Sequence, residues 1–260
     1  MFMLGGNSAI STFVSPIPRR MKEVKIQELF ANAVQFGHRK SKWNPKMKKF
    51  IFAEKNGVHV LDLEKTKAHL EKACTFLAAA AASGKKILFV GTKPQVTPII
   101  SAMAKELNAP YISRKWPAGL LTNYEVFKER IAHLSNLKAE RDEGIWESKY
   151  TKKEISMFLK EIEKLEKTLG GVEAMRGTPD VIFVVDPMKD GLAIKEANIC
   201  KIPVVAMVDT NASPDGVDYI IPANDDAVRS LKYVLGHVQE ACSVKMVKQD
   251  NVKKMEEVAA

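Results

Sequence analysis

Cysteine is scarce in this chain and what there is stands in no working arrangement. Cys74, Cys200 and Cys242 are far apart and show neither Cys-x-x-Cys nor His-x-x-x-His spacing. That excludes a disulfide framework and the common zinc sites, and it predicts inert thiols in a reducing compartment. No run approaches the roughly 18 apolar residues of a membrane helix. A secretory signal is also missing: the short apolar start is followed, not preceded, by its basic pair Arg19-Arg20. Gly5-Gly6, Pro16 and Pro18 predict a disordered extension over residues 1–20, and Met21, which opens better-patterned sequence, is an alternative start. Catalytic signatures are absent too. There is no Gly-x-x-x-x-Gly-Lys-Ser/Thr loop, no Gly-x-Gly-x-x-Gly fingerprint and no nucleophile elbow, and His38, His59, His69, His133 and His237 have no partner at motif spacing.

Positive charge is what the chain has in excess. Its formal net charge is +9 and its pI about 9.3, which favours nucleic acid or another anionic surface as partner. The excess concentrates in Phe36-Gly37-His38-Arg39-Lys40-Ser41-Lys42-Trp43-Asn44-Pro45-Lys46-Met47-Lys48-Lys49, with six Lys or Arg between positions 39 and 49 and no acid among them. Such cations release counterions from a phosphate backbone, the Trp offers a flat face to a base or sugar, and Asn-Pro fixes the chain direction. The competing reading is a solvated basic loop. A second cluster, Ser113-Arg114-Lys115-Trp116 continuing to Thr122-Asn123, again sets two cations beside a Trp. Two clusters, a basic total and no catalytic signature favour an RNA-binding scaffold over an enzyme.

Periodicity supplies the architecture. Val24, Ile26, Leu29, Phe30, Ala33 and Val34 predict a helix over 22–35, followed by the basic loop. Lys55-Asn56-Gly57 between two apolar runs predicts a hairpin, because Asn-Gly tolerates the positive φ of such turns. A helix over 64–83 stops at Gly84, and strands at 86–90 and 110–113 flank another helix. The alternation resumes with strands at 180–186, 202–209 and 219–222, a helix near 189–199, and a long helix from Asn224 to about Lys248. Continuous apolar strands separated by helices imply an α/β, doubly wound parallel sheet covered on both faces. Between the halves, Phe127, Ile131 and Leu134, then Ile155, Phe158, Ile162, Leu165 and Leu169, predict an inserted antiparallel coiled-coil hairpin over 123–169. Thr151 and Glu154 form its capping box and Gly170-Gly171 its stop. The organisation expected is thus a disordered 1–20, an α/β RNA-binding domain over 21–122 and 170–248, the protrusion at 123–169, and a tail at 249–260.

Lys93, Asp186 and Asp209 follow strands at the sheet edge where open α/β folds bind ligands. An enzyme reading makes the two acids magnesium ligands or a base and sets Lys93 on a phosphate; the plainer reading makes the acids turn formers. Asn224-Asp225-Asp226 is expected to cap the last helix, with Arg229 one turn on as a phosphate contact. His69 and His133 are expected on solvated helix faces.

At these residues the chain resembles a known family, protein number two of the small ribosomal subunit in its bacterial form. The shared signatures are Phe36-Gly37-His38, Trp43 to Met47, Phe89 to Lys93, Trp116 to Asn123, Pro179-Asp180, Val185-Asp186, Glu196-Ala197, Ile202-Pro203, Asp209-Thr210-Asn211 and Ile221 to Ser230, in family order over residues 24 to 242. The resemblance implies a flavodoxin-like sheet with a coiled-coil protrusion. It also implies a cytoplasmic, ribosome-bound structural protein, sitting between head and body of the small subunit and contacting its RNA. Its expected protein partners are neighbouring ribosomal proteins, including the large messenger-binding protein number one. No catalysis, membrane or homo-oligomer is expected, and no cofactor beyond a possible structural magnesium at the RNA interface. The expected RNA contacts are His38, Arg39, Lys40, Lys42, Trp43, Asn44, Lys46, Lys48, Lys93, Arg114, Lys115, Trp116, Thr122, Asn123 and Arg229, the cations touching mainly phosphate and sugar. Trp43 and Trp116 either stack on bases or pack under their loops. Ala118 departs from the family's usual glycine and disfavours a positive φ there. A phosphosugar or nucleotide enzyme would reveal itself by a divalent metal at Asp186 or Asp209, and an adaptor for an acidic protein by a complex that survives nuclease.

Overall fold

Five short strands of unbroken apolar sequence form the centre of the protein. The computed structural model describes the backbone of residues 22–258 and the side-chain surroundings of residues 22–243. The extension expected at 1–20 and the last residues of the expected tail lie outside that range. The strands are β1 Phe36–Arg39, β2 Ile51–Lys55, β3 Val58–Leu61, β4 Ile87–Val90, β5 Tyr111–Ile112, β6 Val181–Val185, β7 Val204–Val208 and β8 Tyr219–Pro222. The last five pair in parallel in the order β5-β4-β6-β7-β8, with Phe89 opposite Phe183 and Phe183 opposite Val205. Counted among the parallel strands alone, that order is 2-1-3-4-5, the flavodoxin-like one, and it reverses between β4 and β6. Every residue of β6 and β7 is buried, which explains why their sequences lack polar alternation.

The helices are α1 Ile26–Ala31, α2 Leu63–Ala82, α3 Thr97–Glu106, α4 Tyr124–Asp142, α5 Trp146–Lys149, α6 Lys152–Leu169, α7 Gly191–Ile199 and α8 Val228–Val258. Helices α1, α2, α3 and α8 cover one sheet face through residues such as Leu70, Leu77, Ile100 and Leu231, packed against Phe89, Phe183 and Met207. Helix α7, the apolar sides of α4 and α6, and Met47 and Phe50 cover the other, against Leu88, Val90, Ile182 and Val184. Each fully buried Leu or Ile contributes about 1.5–3 kcal/mol. Helix α2 starts where Asp62 accepts hydrogen bonds from the Glu64 and Lys65 amides. No helix among the described residues is long and apolar enough to cross a membrane.

Three departures from the sequence reading have identifiable causes. Helix α1 ends at Ala31, not near Gln35, because Ala33 takes the left-handed conformation and turns the chain back as β1. Strand β1 pairs antiparallel with β3, so most of the expected basic loop is ordered as strand and as tight helical turns over Lys40–Lys42 and Pro45–Phe50. It completes a three-stranded sheet, β1-β3-β2, around the expected Asn56-Gly57 turn, where both φ are positive. Helix α8 starts at Val228 and reaches Val258, through most of the expected tail.

The inserted helices are present. Phe127, Ile131, Leu134 and Leu137 of α4 face Ile162, Leu165 and Leu169 of α6, the Thr151–Glu154 capping box is formed, and α5 makes the tip with Trp146 tucked against Phe158. Their cross-helix contacts, His133 with Glu161 and Lys138 with Glu166, advance in the same direction along both helices. The Trp146–Phe158 contact runs the other way, so these contacts keep no regular register and do not establish a coiled coil.

Candidate nucleic-acid interface and the charged cluster beside it

In a parallel sheet the segments that follow the strands gather at one edge. Here Gly91-Thr92-Lys93 follows β4, Ser113 to Trp116 follows β5, Asp186 follows β6, Asp209-Thr210 follows β7 and Asn224-Asp225-Asp226 follows β8. Strand β1 is tied to that edge from outside: the His38 amide donates to Thr210 Oγ1 at 2.7 Å and the Asn44 amide to the Thr210 carbonyl at 2.8 Å. Gly37 makes the approach feasible, since a Cβ there would lie 2.5 Å from Thr210 Cγ2 and 2.6 Å from its Oγ1.

Lys93 sits at the reversal point between β4 and β6. Its ammonium lies 3.0 Å from Asp186 Oδ2, 2.8 Å from Asp225 Oδ1 and 3.0 Å from Asp226 Oδ1, and only 15% of its side chain is exposed. Burial opposes its charge, but Asp225 first, then Asp186 and Asp226, more than offset this and raise its pKa. His38 bridges the remaining acids, with Nδ1 3.1 Å from Asp209 Oδ2 and Nε2 3.2 Å from Asp226 Oδ2. The close approach of its ring N–H to the accepting Asp209 carboxylate raises its pKa against the lowering effect of burial, with further help from the charges of Asp209, Asp226 and Asp225. Burial also pushes Asp225 up to about 7, the neighbouring Asp209 and Asp186 adding to the shift and Lys93 opposing it. One loop away, Asp190 accepts from the Thr92 amide at 3.1 Å and its hydroxyl at 2.8 Å, and burial still lifts it to about 6.

Four carboxylates therefore surround one lysine and one histidine. Both Asp225 oxygens, Asp209 Oδ2 and His38 Nδ1 are buried without a well-directed hydrogen bond, although opposite charges lie within ion-pair distance. Distance governs that attraction more than angle, so these contacts are electrostatic. His38, Asp225 and Asp226 each present a ligand atom within 4.8 Å of the others, a nitrogen and oxygen set that suits a divalent cation. The excess negative charge has the opposite consequence for RNA: it occupies Lys93 and His38, both expected as RNA contacts, and turns them inward.

The other expected residues divide by exposure. Arg39, Lys42, Lys48, Arg114, Lys115 and Arg229 are exposed and have no carboxylate partner among the described residues. Lys40 is paired with Glu54 at 2.8 Å, and Lys46 with Asp215. Asn44 is half-buried and its side chain caps the turn at Lys46. Trp43 is half-buried against His59, ring centres 5.1 Å apart. Thr122 and Asn123 are exposed, and Asn123 precedes α4 without capping it.

Trp116 takes the second of its two expected roles. It is 6% exposed, and its indole Nε1 donates to Glu196 Oε1 at 3.0 Å, so its ring is not available to a base. The same carboxylate accepts from the amides of Gly119 at 2.8 Å and Leu121 at 3.0 Å. Gly119 carries the positive φ of this loop, and Ala118 does not. Glu196 escaped functional assignment because, read from sequence, it is one acid on an amphipathic helix; only the fold turns it inward.

Two further expectations change. Asn224 alone caps the turn before α8, accepting from the Asp226 and Ala227 amides, while Asp225 and Asp226 face Lys93. His69 is half-buried, its Nδ1 3.0 Å from the Ile220 carbonyl and its ring edge-on to Phe50, and burial lowers its pKa; His133 is exposed as expected. Sequence periodicity also hid a surface patch. Phe30, Phe36 and Phe52 are 66%, 49% and 76% exposed, and Phe30 and Phe52 rim a hollow of about 370 Å³ floored by Val60 and Leu63. Phe30 counted toward the helix's apolar stripe and Phe52 toward a strand, so neither signalled a surface role.

Comparison with known proteins agrees with this layout. The profile of the family described as Ribosomal protein S2 matches residues 29–244. The small ribosomal subunit protein uS2 of Francisella tularensis subsp. novicida (strain U112) is 46% identical over 216 residues, spanning 83% of this chain and 90% of the relative. The protein of the same name from Dehalococcoides mccartyi is 42% identical over 238 residues, spanning 92% of this chain and 95% of its own. Matched over most of its length by both profile and relatives, the chain belongs to the ribosomal protein S2 family.

Proposed function

We propose that the chain binds small-subunit ribosomal RNA between the head and body of the subunit, as a structural constituent that supports translation. Family membership makes it a structural ribosomal protein rather than an enzyme. The observation that carries the RNA reading is the set of exposed, unpaired cations along one sheet edge: Arg39, Lys42 and Lys48 on the strand and turns, Arg114 and Lys115 after β5, and Arg229 on α8. These contact phosphate and sugar, which positions the protein without reading sequence. Lys40 and Lys46 join them by exchanging Glu54 and Asp215 for phosphate. Trp43 offers its open face to a base, and Thr122 and Asn123 hydrogen-bond to the backbone. His38, Lys93 and Trp116 act one step back, holding the loops that present the cations.

In this reading residues 21–122 and 170–248 form the RNA-binding body, and 123–169 form an arm from it. The acidic cluster at His38, Asp225 and Asp226 holds a divalent cation, magnesium or a softer ion, close to the RNA. The exposed Phe30, Phe36 and Phe52 patch is the feature that best supports docking of the large messenger-binding protein number one, since aromatic anchors dominate protein interfaces.

Binding of the full chain to small-subunit ribosomal RNA, measured across a salt series, tests the cation assignment. Each phosphate contact removed lowers the slope of log K against log salt by roughly one. Replacing Arg39, Lys42 and Lys48 together by alanine is expected to lower it by roughly two to three. An unchanged slope refutes the assignment.

A further inference from the structure

We propose that the outer face of α7 is a docking surface for an acidic, amphipathic segment of a neighbouring protein. A helix that covers a sheet normally shows water a polar face. Helix α7 does not. Its inner side buries Ala193, Ile194 and Ala197 against the sheet, yet Leu192 and Ile199 stand 45% and 71% exposed on the outer side. Lys195 lies between them, so 192, 195 and 199 form one stripe at helical spacing. Met188, 61% exposed in the turn before α7, extends the apolar surface. Beside it a hollow of about 480 Å³ opens between the start of α7 and the Ser213 to Asp215 turn, large enough for a partner's side chain.

Charge selects the occupant. The acids of this segment, Asp190 and Glu196, are 2% and 4% exposed and committed to Thr92 and the Trp116 loop. Lys195 and Lys201 are exposed and have no carboxylate partner among the described residues. The face is thus apolar and basic, and the exposed acid at the rim of the hollow, Asp215, is already paired with Lys46, so an apolar segment carrying Asp or Glu complements it on both counts. RNA matches it poorly, because three large apolar side chains offer nothing to a phosphate. Lys46, salt-bridged to Asp215, links the far side of the hollow to the basic turn, so the two surfaces adjoin.

The inference rests on the chain being assembled in the small subunit, and the experiment separates the two. The full chain carrying benzoylphenylalanine in place of Leu192, and a second chain carrying it in place of Lys42, are each incorporated into small subunits and irradiated. Crosslinking from 42 to RNA and from 192 to a defined, acid-rich stretch of one ribosomal protein is the expected result. With Lys195→Glu and Lys201→Glu added, the yield from 192 is expected to fall roughly fivefold while occupancy of the subunit is retained, as two rim attractions become repulsions. A crosslink from 42 to RNA with none from 192, one to RNA, or one insensitive to the charge reversal overturns the docking surface and leaves the RNA reading intact. A chain that never enters small subunits overturns both.

Discussion

Glu196 offers the sharpest quantitative test of how the second basic loop is built. Its buried carboxylate accepts three hydrogen bonds, from Trp116 Nε1, the Gly119 amide and the Leu121 amide. Replacing it by alanine leaves those donors with no acceptor in a site water barely reaches. Hydrogen bonds to a charged group contribute about 1.5–3 kcal/mol each, and neighbours sharing one acceptor add incompletely, so the expected loss is about 3–6 kcal/mol. Against a total stability of about 5–15 kcal/mol for a domain, that is severe. Glu196→Gln keeps the volume and one acceptor oxygen but turns an amide group toward a donor, so about half the loss is expected. Equilibrium urea unfolding followed by circular dichroism measures both. With a slope of about 3 kcal/mol/M, the alanine variant shifts its midpoint down by about 1–2 M. An alanine variant within about 0.5 kcal/mol of the parent refutes the clamp, because surface positions behave that way.

Other outcomes follow from the charged edge. Lys93→Met leaves Asp225 and Asp186 buried without their cation and is expected to cost about 3–5 kcal/mol at neutral pH, read as a drop in Tm and relieved on acidification. Asp190 and Asp225 are held at about 6 and about 7, above the ordinary 3.8. The folded state therefore binds more protons than the unfolded one, and each acid's contribution, full at low pH, is lost as pH rises through those values; Asp190→Asn is expected to flatten stability between about pH 4 and 6. Gly37→Ala places a Cβ against Thr210 and is expected to cost about 1–3 kcal/mol, with a double-mutant cycle showing that Thr210→Ala recovers part of it. Added divalent ions are expected to raise Tm more at pH 8 than at pH 6, because His38 must release its proton to ligate, and His38→Ala is expected to abolish the rise.

The sheet was legible because its strands carry the information locally. Val181 to Val185 and Val204 to Val208 are apolar without alternation, and only a sheet covered on both faces buries such runs. The capping box at Thr151 and the turn at Asn56-Gly57 were legible for the same reason. What sequence did not reveal depends on partners far away in the chain. Strand β1 forms because β3 lies ready to pair with it. Lys93 reads as a phosphate ligand until Asp225 and Asp226, more than 130 residues on, arrive beside it. Trp116 reads equally as a stacking platform or a loop anchor until Glu196 claims its indole, and Phe52 reads as an ordinary strand residue until the sheet leaves its ring in solvent. Periodicity assigned the buried residues of α4 and α6 correctly, Phe127, Ile131, Leu134, Ile162, Leu165 and Leu169 among them, but it put the exposed Ile26 and Phe30 in the stripe of α1 and could not show that α7 keeps an apolar stripe outside.

The central claim, a ribosomal structural protein held to RNA by its basic edge, is tested most directly by centrifuging cell extract through a sucrose gradient at moderate magnesium and quantifying the chain by mass spectrometry. Stoichiometric co-migration with small subunits, lost after ribonuclease and weakened when Arg39, Lys42 and Lys48 are replaced by alanine, is the predicted result. A chain that stays at the top of the gradient, or one whose place among the subunits is indifferent to ribonuclease, contradicts it.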